Sequence, residues 1–119
     1  MTCSQIRCLM TVLSIDREQK NQRPVMSKDI ADRLSISRPS AHRLLESLSK
    51  AHYIIKEAYG PVILTEEGRH EALRMEERCR NLTQSLLQRY RLTPDEGETA
   101  AMLLMSRMTE ESLQAIESA

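Results

Sequence analysis

The sequence predicts a mainly α-helical fold that carries one small two-stranded β-hairpin. Apolar residues recur three or four positions apart along most of the 119 residues, a spacing that places them on one face of a helix. Residues 53–65 differ, because they hold two short β-prone runs separated by Gly60-Pro61, a pattern typical of a hairpin. We therefore expect a helical framework to which the hairpin is added.

The composition favours a compact protein that is not exported. With 40% hydrophobic residues, seven methionines and neither Trp nor Phe, the core must be built from Leu, Ile and Met. No apolar run reaches the roughly 18 residues of a membrane span, and residues 1–7 lack the features of a signal peptide. The three cysteines, Cys3, Cys8 and Cys79, show no CxxC spacing, which argues against a disulfide framework and a zinc ribbon. A cytoplasmic location is expected.

Three helices are predicted in the first half of the chain. The first covers residues 4 to about 18 and ends in a polar run. After a very short extended piece at Pro24-Val25, Ser27 can cap a short second helix. Ser35-Ile36-Ser37 then interrupts the helical pattern. Arg38-Pro39 restarts it, because proline is tolerated in the first turn of a helix, and the third helix is expected to reach about Lys50.

The third helix is predicted to bury one side and to expose the other. The expected buried residues are Ala41, Leu44, Leu45 and Leu48, and the expected outward residues are Arg38, Ser40, His42, Arg43, Glu46 and Ser47. The outward side is therefore polar and partly basic. Residues 1–60 as a whole carry ten Lys/Arg against six Asp/Glu, whereas residues 61–119 carry seven against eleven. The first half is the one expected to meet a polyanion.

The second half continues with the hairpin and three more helices. Thr65-Glu66-Glu67-Gly68 begins a long helix that can reach Tyr90. Thr93-Pro94-Asp95-Glu96 is a capping box with proline in the first turn and acidic residues at the positive end of the helix dipole. Thr109-Glu110-Glu111 begins a short last helix.

This order of elements predicts a winged helix-turn-helix fold that binds duplex DNA. Two short helices joined by a three-residue turn can place the second helix in a major groove, and the hairpin is the wing. The candidate DNA-binding residues are Lys28, Ser37, Arg38, Pro39, Ser40, His42, Arg43 and Lys56. The two serines lie at a helix N-terminus that attracts phosphate. Arg43 is placed to contact guanine, and the remaining cations are placed to contact phosphates.

Other interpretations of the same residues stay open. A basic residue on an exposed helix face is often only solvated, Ser37 is a sufficient helix cap without DNA, and His42 is also compatible with an ordinary surface position. Glu46 on the presumed reading helix would repel phosphate, which leaves open a winged helix that docks a protein. An enzyme is not expected, because the sequence contains no Gly-rich phosphate loop and no H-E-x-x-H motif.

Three short motifs give the chain a family resemblance. They are Asp29-Ile30-Ala31 with Leu34, Leu48 with Tyr53-Ile54, and Leu64-Thr65 with Gly68. In order and spacing they resemble the winged-helix region of the diphtheria toxin repressor and manganese transport regulator family. The resemblance implies a metal-dependent repressor that binds a palindromic operator as a homodimer. It also implies a DNA-binding domain at residues 1–68 and a helical dimerisation region at residues 69–119, with the interface from Glu71 onward.

The end of the chain at Ala119 corresponds to the shorter, manganese-type architecture of this family, or to a truncated chain. The iron-responsive branch has a further C-terminal domain. Members of the family hold a divalent Mn or Fe ion through helix one, the long helix and a Glu-x-x-Glu-His or Cys-x-x-Glu-His stretch. The corresponding positions here are Ser4 and Arg7, Cys79, and the stretch Met102–Ser106.

These residues are not the ligands that Mn²⁺ or Fe²⁺ prefers. Those ions bind carboxylate and imidazole, whereas thiolate and thioether favour soft ions such as Cu(I). A soft-metal or thiol-redox sensor built from Cys79, Met102 and Met105, with Cys3 or Cys8 nearby, is one possibility. The other is that these side chains only fill the core, with no metal bound and Arg7 in the place of the cation.

Overall fold

The computed structural model describes residues 1–20 and 22–119. Over these residues it contains six helices and one antiparallel hairpin, and it confirms the predicted order of elements. The elements are α1 (Cys3–Gln19), α2 (Ser27–Leu34), α3 (Arg38–Lys50), β1 (Ile54–Lys56), β2 (Val62–Leu64), α4 (Glu66–Arg89), α5 (Pro94–Arg107) and α6 (Glu110–Ser118). None of the described helices combines the length and the apolar character needed to cross a bilayer.

Most helices begin where a hydroxyl side chain can accept a backbone N–H. The capping residues are Thr2, Ser37, Thr65, Thr93 and Thr109. The prediction that Ser27 caps α2 is wrong, because Met26 occupies the cap position and Ser27 is the first helical residue. The Asp29 carboxylate accepts the Met26 N–H at 2.9 Å, so this start is satisfied from inside the helix.

The hairpin is joined to the segment before α2. Ile54 pairs with Leu64 and Lys56 with Val62, while Val25 forms an isolated bridge to Val62. The Val62 N–H donates to the Val25 carbonyl at 2.7 Å. The short extended piece predicted at Pro24-Val25 is therefore present as a single bridging residue, which fixes the hairpin beside α2.

A single hydrophobic core connects the first three helices with the later ones. Helix α1 contacts α2, α3, α4 and α5, and its buried residues include Leu9 and Leu13. Of the stripe predicted on α3, three members are buried and Leu44 is half-buried. Ala101 and Met102 are also buried in this core, so their side chains pack within the subunit.

Ion pairs hold the last helix against α4. Arg74 and Arg78 each donate to the Glu110 carboxylate, at 2.9 and 2.7 Å, and Arg78 also pairs with Glu117. The hydrogen bond from Arg74 is the main cause that lowers the pKa of Glu110. Because the Glu110 side chain is 59% exposed, these contacts are screened by water and contribute modestly.

The Glu110 ion pairs predict an acid-sensitive contribution to stability. A carboxyl whose folded pKa is lowered stabilises the fold above its ordinary pKa of 4.5 and loses that contribution as the pH falls through the folded value. We expect Glu110→Gln to lower the free energy of unfolding by less than about 1 kcal/mol at neutral pH, with the difference shrinking below pH 4.5. Thermal unfolding over a pH series measures this. Glu111→Gln, in the same helical turn, is the control, because it removes a carboxylate that forms no ion pair among the described residues.

Candidate nucleic-acid interface

The turn between α2 and α3 sets the relative orientation of these helices. Ser35 has a left-handed backbone with φ 55°, which ends α2. The Ile36 N–H then donates to the Ala31 carbonyl at 3.0 Å, and Ser37 begins α3. Because α2 and α3 pack against each other and both contact α1, the turn holds α3 with one side toward the core.

The first two turns of α3 bring several predicted DNA-binding residues together on the other side. Arg38, Pro39, His42 and Arg43 are exposed, and Ser40 is half-buried. The Ser40 N–H donates to Ser37 Oγ at 3.2 Å, and Arg43 Nη2 donates to Ser40 Oγ at 3.3 Å. The guanidinium of Arg43 is thus placed near the N-terminus of α3, where free N–H groups favour an anion.

The second half of α3 departs in part from the predicted pattern. Glu46 is exposed, with carboxylate oxygens 3.9 Å from His42 Nε2 and 3.8 Å from Lys50 Nζ. Ser47 was expected to point outward, but it faces the protein, because its hydroxyl accepts Gln5 Nε2 at 3.1 Å and donates to the Leu44 carbonyl. The outward side therefore ends before Ser47. The negative charge of Glu46 on this side has the ammonium group of Lys50 beside it.

The remaining predicted contacts lie on other elements. Lys28 is exposed in the first turn of α2. Lys56 is half-buried at the end of β1, and its Nζ donates to the Glu57 carbonyl at 2.6 Å. Tyr59, which the sequence analysis did not single out, is fully exposed between the two strands, with φ 59°. Its place in the connection between the two strands could have identified it as a candidate contact, because side chains at the tip of a wing face the solvent.

The predicted soft-metal residues line two different cavities. Cys79 and Met102 line the same cavity, of about 450 Å³, between α1, α4 and α5. Met105 lines a different cavity, with Ile6 and Leu113. Cys8 is fully buried in the core, and burial raises the pKa of its thiol to about 12. Of the proposed donors, Cys79 and Met102 line this cavity, and Cys3 lies close enough to Cys79 to contribute, besides burial, to the raised pKa of its thiol.

The donor set between α1, α4 and α5 does not fit a manganese or iron ion. Burial raises the pKa of the Cys79 thiol, which disfavours the thiolate that binds metals. Arg7 lines the same cavity and brings a positive charge to it. In residues 1–20 and 22–119 no three His, Cys, Asp or Glu side chains lie together as a metal site. Glu76 and Glu98 are the two carboxylates that line this cavity, Glu76 is already paired with Arg17, and no histidine is among the described lining residues. Mn²⁺ and Fe²⁺ prefer several carboxylate and imidazole ligands together.

A comparison with protein-family models supports the helix-turn-helix. Residues 19–57 match the sequence model of the IclR helix-turn-helix domain, which covers α2, the turn, α3 and β1. No match was found among curated proteins. The helix-turn-helix recognised from the spacing of helices and caps is therefore confirmed by an independent sequence match.

The whole fold is similar to several solved structures, among them a manganese regulator and a metal-dependent transcriptional regulator. The manganese regulator SloR has a TM-score of 0.78 at 18% identity, over 96% of this chain and 52% of that chain. The metal-dependent transcriptional regulator MtsR has a TM-score of 0.74 at 16% identity, over 99% and 54% of the two chains. For IdeR from T. acidophilum the TM-score is 0.66 at 21% identity, over 99% and 53%.

These similarities confirm the resemblance noted in the sequence at the level of the fold. The chain spans about half the length of the three structures. The IclR match stops at residue 57, whereas the structural similarity continues through α4, α5 and α6. Two of the neighbours are described as regulators, and the architecture is a mostly helical winged helix.

Proposed function

We propose that this chain is a sequence-specific transcription regulator that binds duplex DNA as a homodimer in the cytoplasm. The observation that carries the proposal is the exposed outward side of α3, which no other part of the described chain covers. It lies within a matched helix-turn-helix segment and next to a hairpin wing. A helix held in this way can enter a major groove and present its side chains to base edges.

The residues divide into two roles. Arg43 and His42, with Pro39 beside them, face outward within the first two turns of α3 and are proposed to read bases. Lys28 and Arg38, together with Lys56 on the wing, are proposed to contact phosphates. Ser37 and Ser40 present the N-terminus of α3 to a phosphate.

A homodimer would place two copies of α3 on one duplex. We assign residues 1–68 to DNA binding and residues 69–119 to dimerisation. Leu103 is 52% exposed on α5, and Leu104, Met105 and Met108 are half-buried near it. Ala101 and Met102 are buried in the subunit core, so they do not contribute to the proposed interface. Two-fold symmetry predicts a palindromic operator, and repression is the expected outcome of occupying it.

A protein-docking winged helix is the competing function, and Glu46 is the observation that favours it. A carboxylate on the reading side repels phosphate, but Lys50 Nζ lies 3.8 Å from the Glu46 carboxylate and its positive charge reduces the repulsion. Selection of bound sequences from a random duplex pool, followed by fluorescence anisotropy over a salt series, separates the two functions. A regulator should enrich a palindrome and lose affinity with salt, with a slope of about 0.9 per phosphate contact. Absence of enrichment and of salt dependence would contradict the proposal.

The same titration tests one phosphate contact. We expect Lys28→Ala to weaken binding to the selected operator and to a random duplex equally, and to reduce the salt slope by about 1. Arg89→Ala is the matched control, because Arg89 is exposed on α4 and has no ion-pair partner among the described residues. A loss confined to the operator would assign Lys28 to base recognition.

A further inference from the structure

The cavity that contains Cys79 and Met102 has the features of a small-molecule site. Its volume of about 450 Å³ lies within the roughly 300–1,000 Å³ typical of such sites. Met102 and Cys79 are buried side chains of its inner wall, and Met10 is half-buried beside them. Charged side chains occupy its exposed edge, so an apolar interior meets a polar mouth.

Some of the charged side chains at this edge form ion pairs, and others do not. Arg33 pairs with Glu18 at 2.7 Å, and Glu76 pairs with Arg17 at 2.8 Å. Three further charged residues line the cavity and have no ion-pair partner within 4 Å among the described residues: Arg7, Arg80 and Glu98. Two cations and one anion thus remain available above an apolar wall.

A larger cavity between α1 and α2 lacks this combination. Its volume is about 840 Å³, but seven of its eight lining residues are polar or charged and only Ile15 is apolar. Its charged groups also pair with each other, as Arg33 does with Glu18 and Arg23 with Asp29. Of these two cavities, the one between α1, α4 and α5 therefore has both apolar surface and cations without an ion pair among the described residues.

We propose that this cavity binds a small organic carboxylate with an apolar body. Arg7 and Arg80 would hold the carboxylate, since guanidinium groups form strong, directional hydrogen bonds with it. Met10 and Met102 would contact the apolar body, for which flexible thioethers are well suited. The features that make this position unsuited to a metal cation, a cationic side chain and an apolar wall, are those that favour an organic anion.

Glu98 would distinguish two kinds of ligand that carry the same carboxylate, an amino acid and a simple carboxylic acid. An apolar α-amino acid would place its ammonium group against Glu98, whereas a simple carboxylic acid would leave Glu98 unused. Arg33 of α2 also lines the cavity, so a bound acid would touch both the helix-turn-helix and the later helices. An effect of the acid on operator affinity rests on the proposed function, but binding of the acid does not.

Isothermal titration calorimetry of the full chain without DNA tests the site. The probes are leucine, 4-methylpentanoate, 3-methylbutylamine and 3-methylbutanol, which share an apolar body and differ in charge. We expect saturable binding of one carboxylate per chain and no binding of the amine or the alcohol. Arg7→Gln and Arg80→Gln should each weaken binding by about tenfold or more, as expected for a hydrogen bond to a charged group.

The controls separate binding from folding. Arg7 and Arg80 are exposed, so both variants should keep the wild-type circular dichroism spectrum, and Arg89→Gln should bind as the wild type does. Glu98→Gln should weaken leucine but not 4-methylpentanoate if an amino acid is the natural class. Equal binding of the alcohol, unchanged binding by both arginine variants, or no saturable carboxylate would overturn the proposal. So would a change of oligomeric state in Arg80→Gln without acid binding, which would mean that a second copy covers the cavity.

Discussion

Replacement of Gly68 by alanine is expected to lower the free energy of unfolding by roughly 3 kcal/mol, the upper end of what overpacking costs. In most helices this change is stabilising by up to about 1 kcal/mol. Here the added Cβ would lie 1.8 Å from the carbonyl oxygen of Tyr53. That oxygen accepts the Thr65 N–H at 3.0 Å and lies 3.1 Å from Thr65 Oγ1. The backbone cannot move aside without disturbing the start of α4 and the hairpin before it.

The other two glycines provide matched controls for this effect. A Cβ at Gly97 would lie 2.9 Å from Leu87 Cδ2, a side-chain atom that can shift, and one at Gly60 would lie 3.4 Å from Glu57. Chemical denaturation should therefore rank Gly68→Ala as far the most damaging, Gly97→Ala as intermediate and Gly60→Ala as nearly neutral. None of the three glycines has a positive φ, so similar losses at all three positions would show that the contact with Tyr53 does not set the cost.

The local rules of helix capping explain why much of the fold was predictable. Ser37-Arg38-Pro39 and Thr93-Pro94 define helix starts by their own chemistry, and the structure begins α3 and α5 there. The start of α2 was mistaken by one residue, because Asp29 supplies the acceptor from inside the helix. Gly68 was noticed as part of a motif, but only the structure shows the carbonyl that excludes a side chain.

The exposed and buried faces of a helix could be predicted from the sequence only where the helix packs against the protein on one side. Helical spacing correctly predicted that Arg38, His42 and Arg43 are exposed, because α3 packs against the protein on one side. Ser47 follows the same spacing, but contact with Gln5 of α1 turns it inward. The cavity was not predictable, since Arg7, Arg80 and Glu98 come from three helices whose proximity depends on tertiary packing and not on sequence distance.

Arg43→Ala is expected to reduce discrimination between the selected operator and a random duplex by about 1–3 kcal/mol, the contribution of a good bidentate contact to a base. Arg43 is exposed, and Ser40 accepts a hydrogen bond from its guanidinium at 3.3 Å. This bond restricts the side chain to the outward side of α3 near its N-terminus, where a helix in the major groove meets base edges. The arginine therefore loses less freedom when it binds guanine than an unrestrained one would.

Arg38→Ala is the control that separates base recognition from charge. Arg38 is the first residue of the same helix and is exposed, so its removal takes away one positive charge from the same surface. If it contacts phosphate, affinity should fall equally on both duplexes, whereas Arg43→Ala should act mainly on the operator. Fluorescence anisotropy at one fixed salt concentration gives both ratios, and thermal unfolding should change little because neither side chain is buried. An equal loss on both duplexes in Arg43→Ala would make Arg43 a phosphate contact, and the reading of bases would then have to come from His42 and the residues beside it.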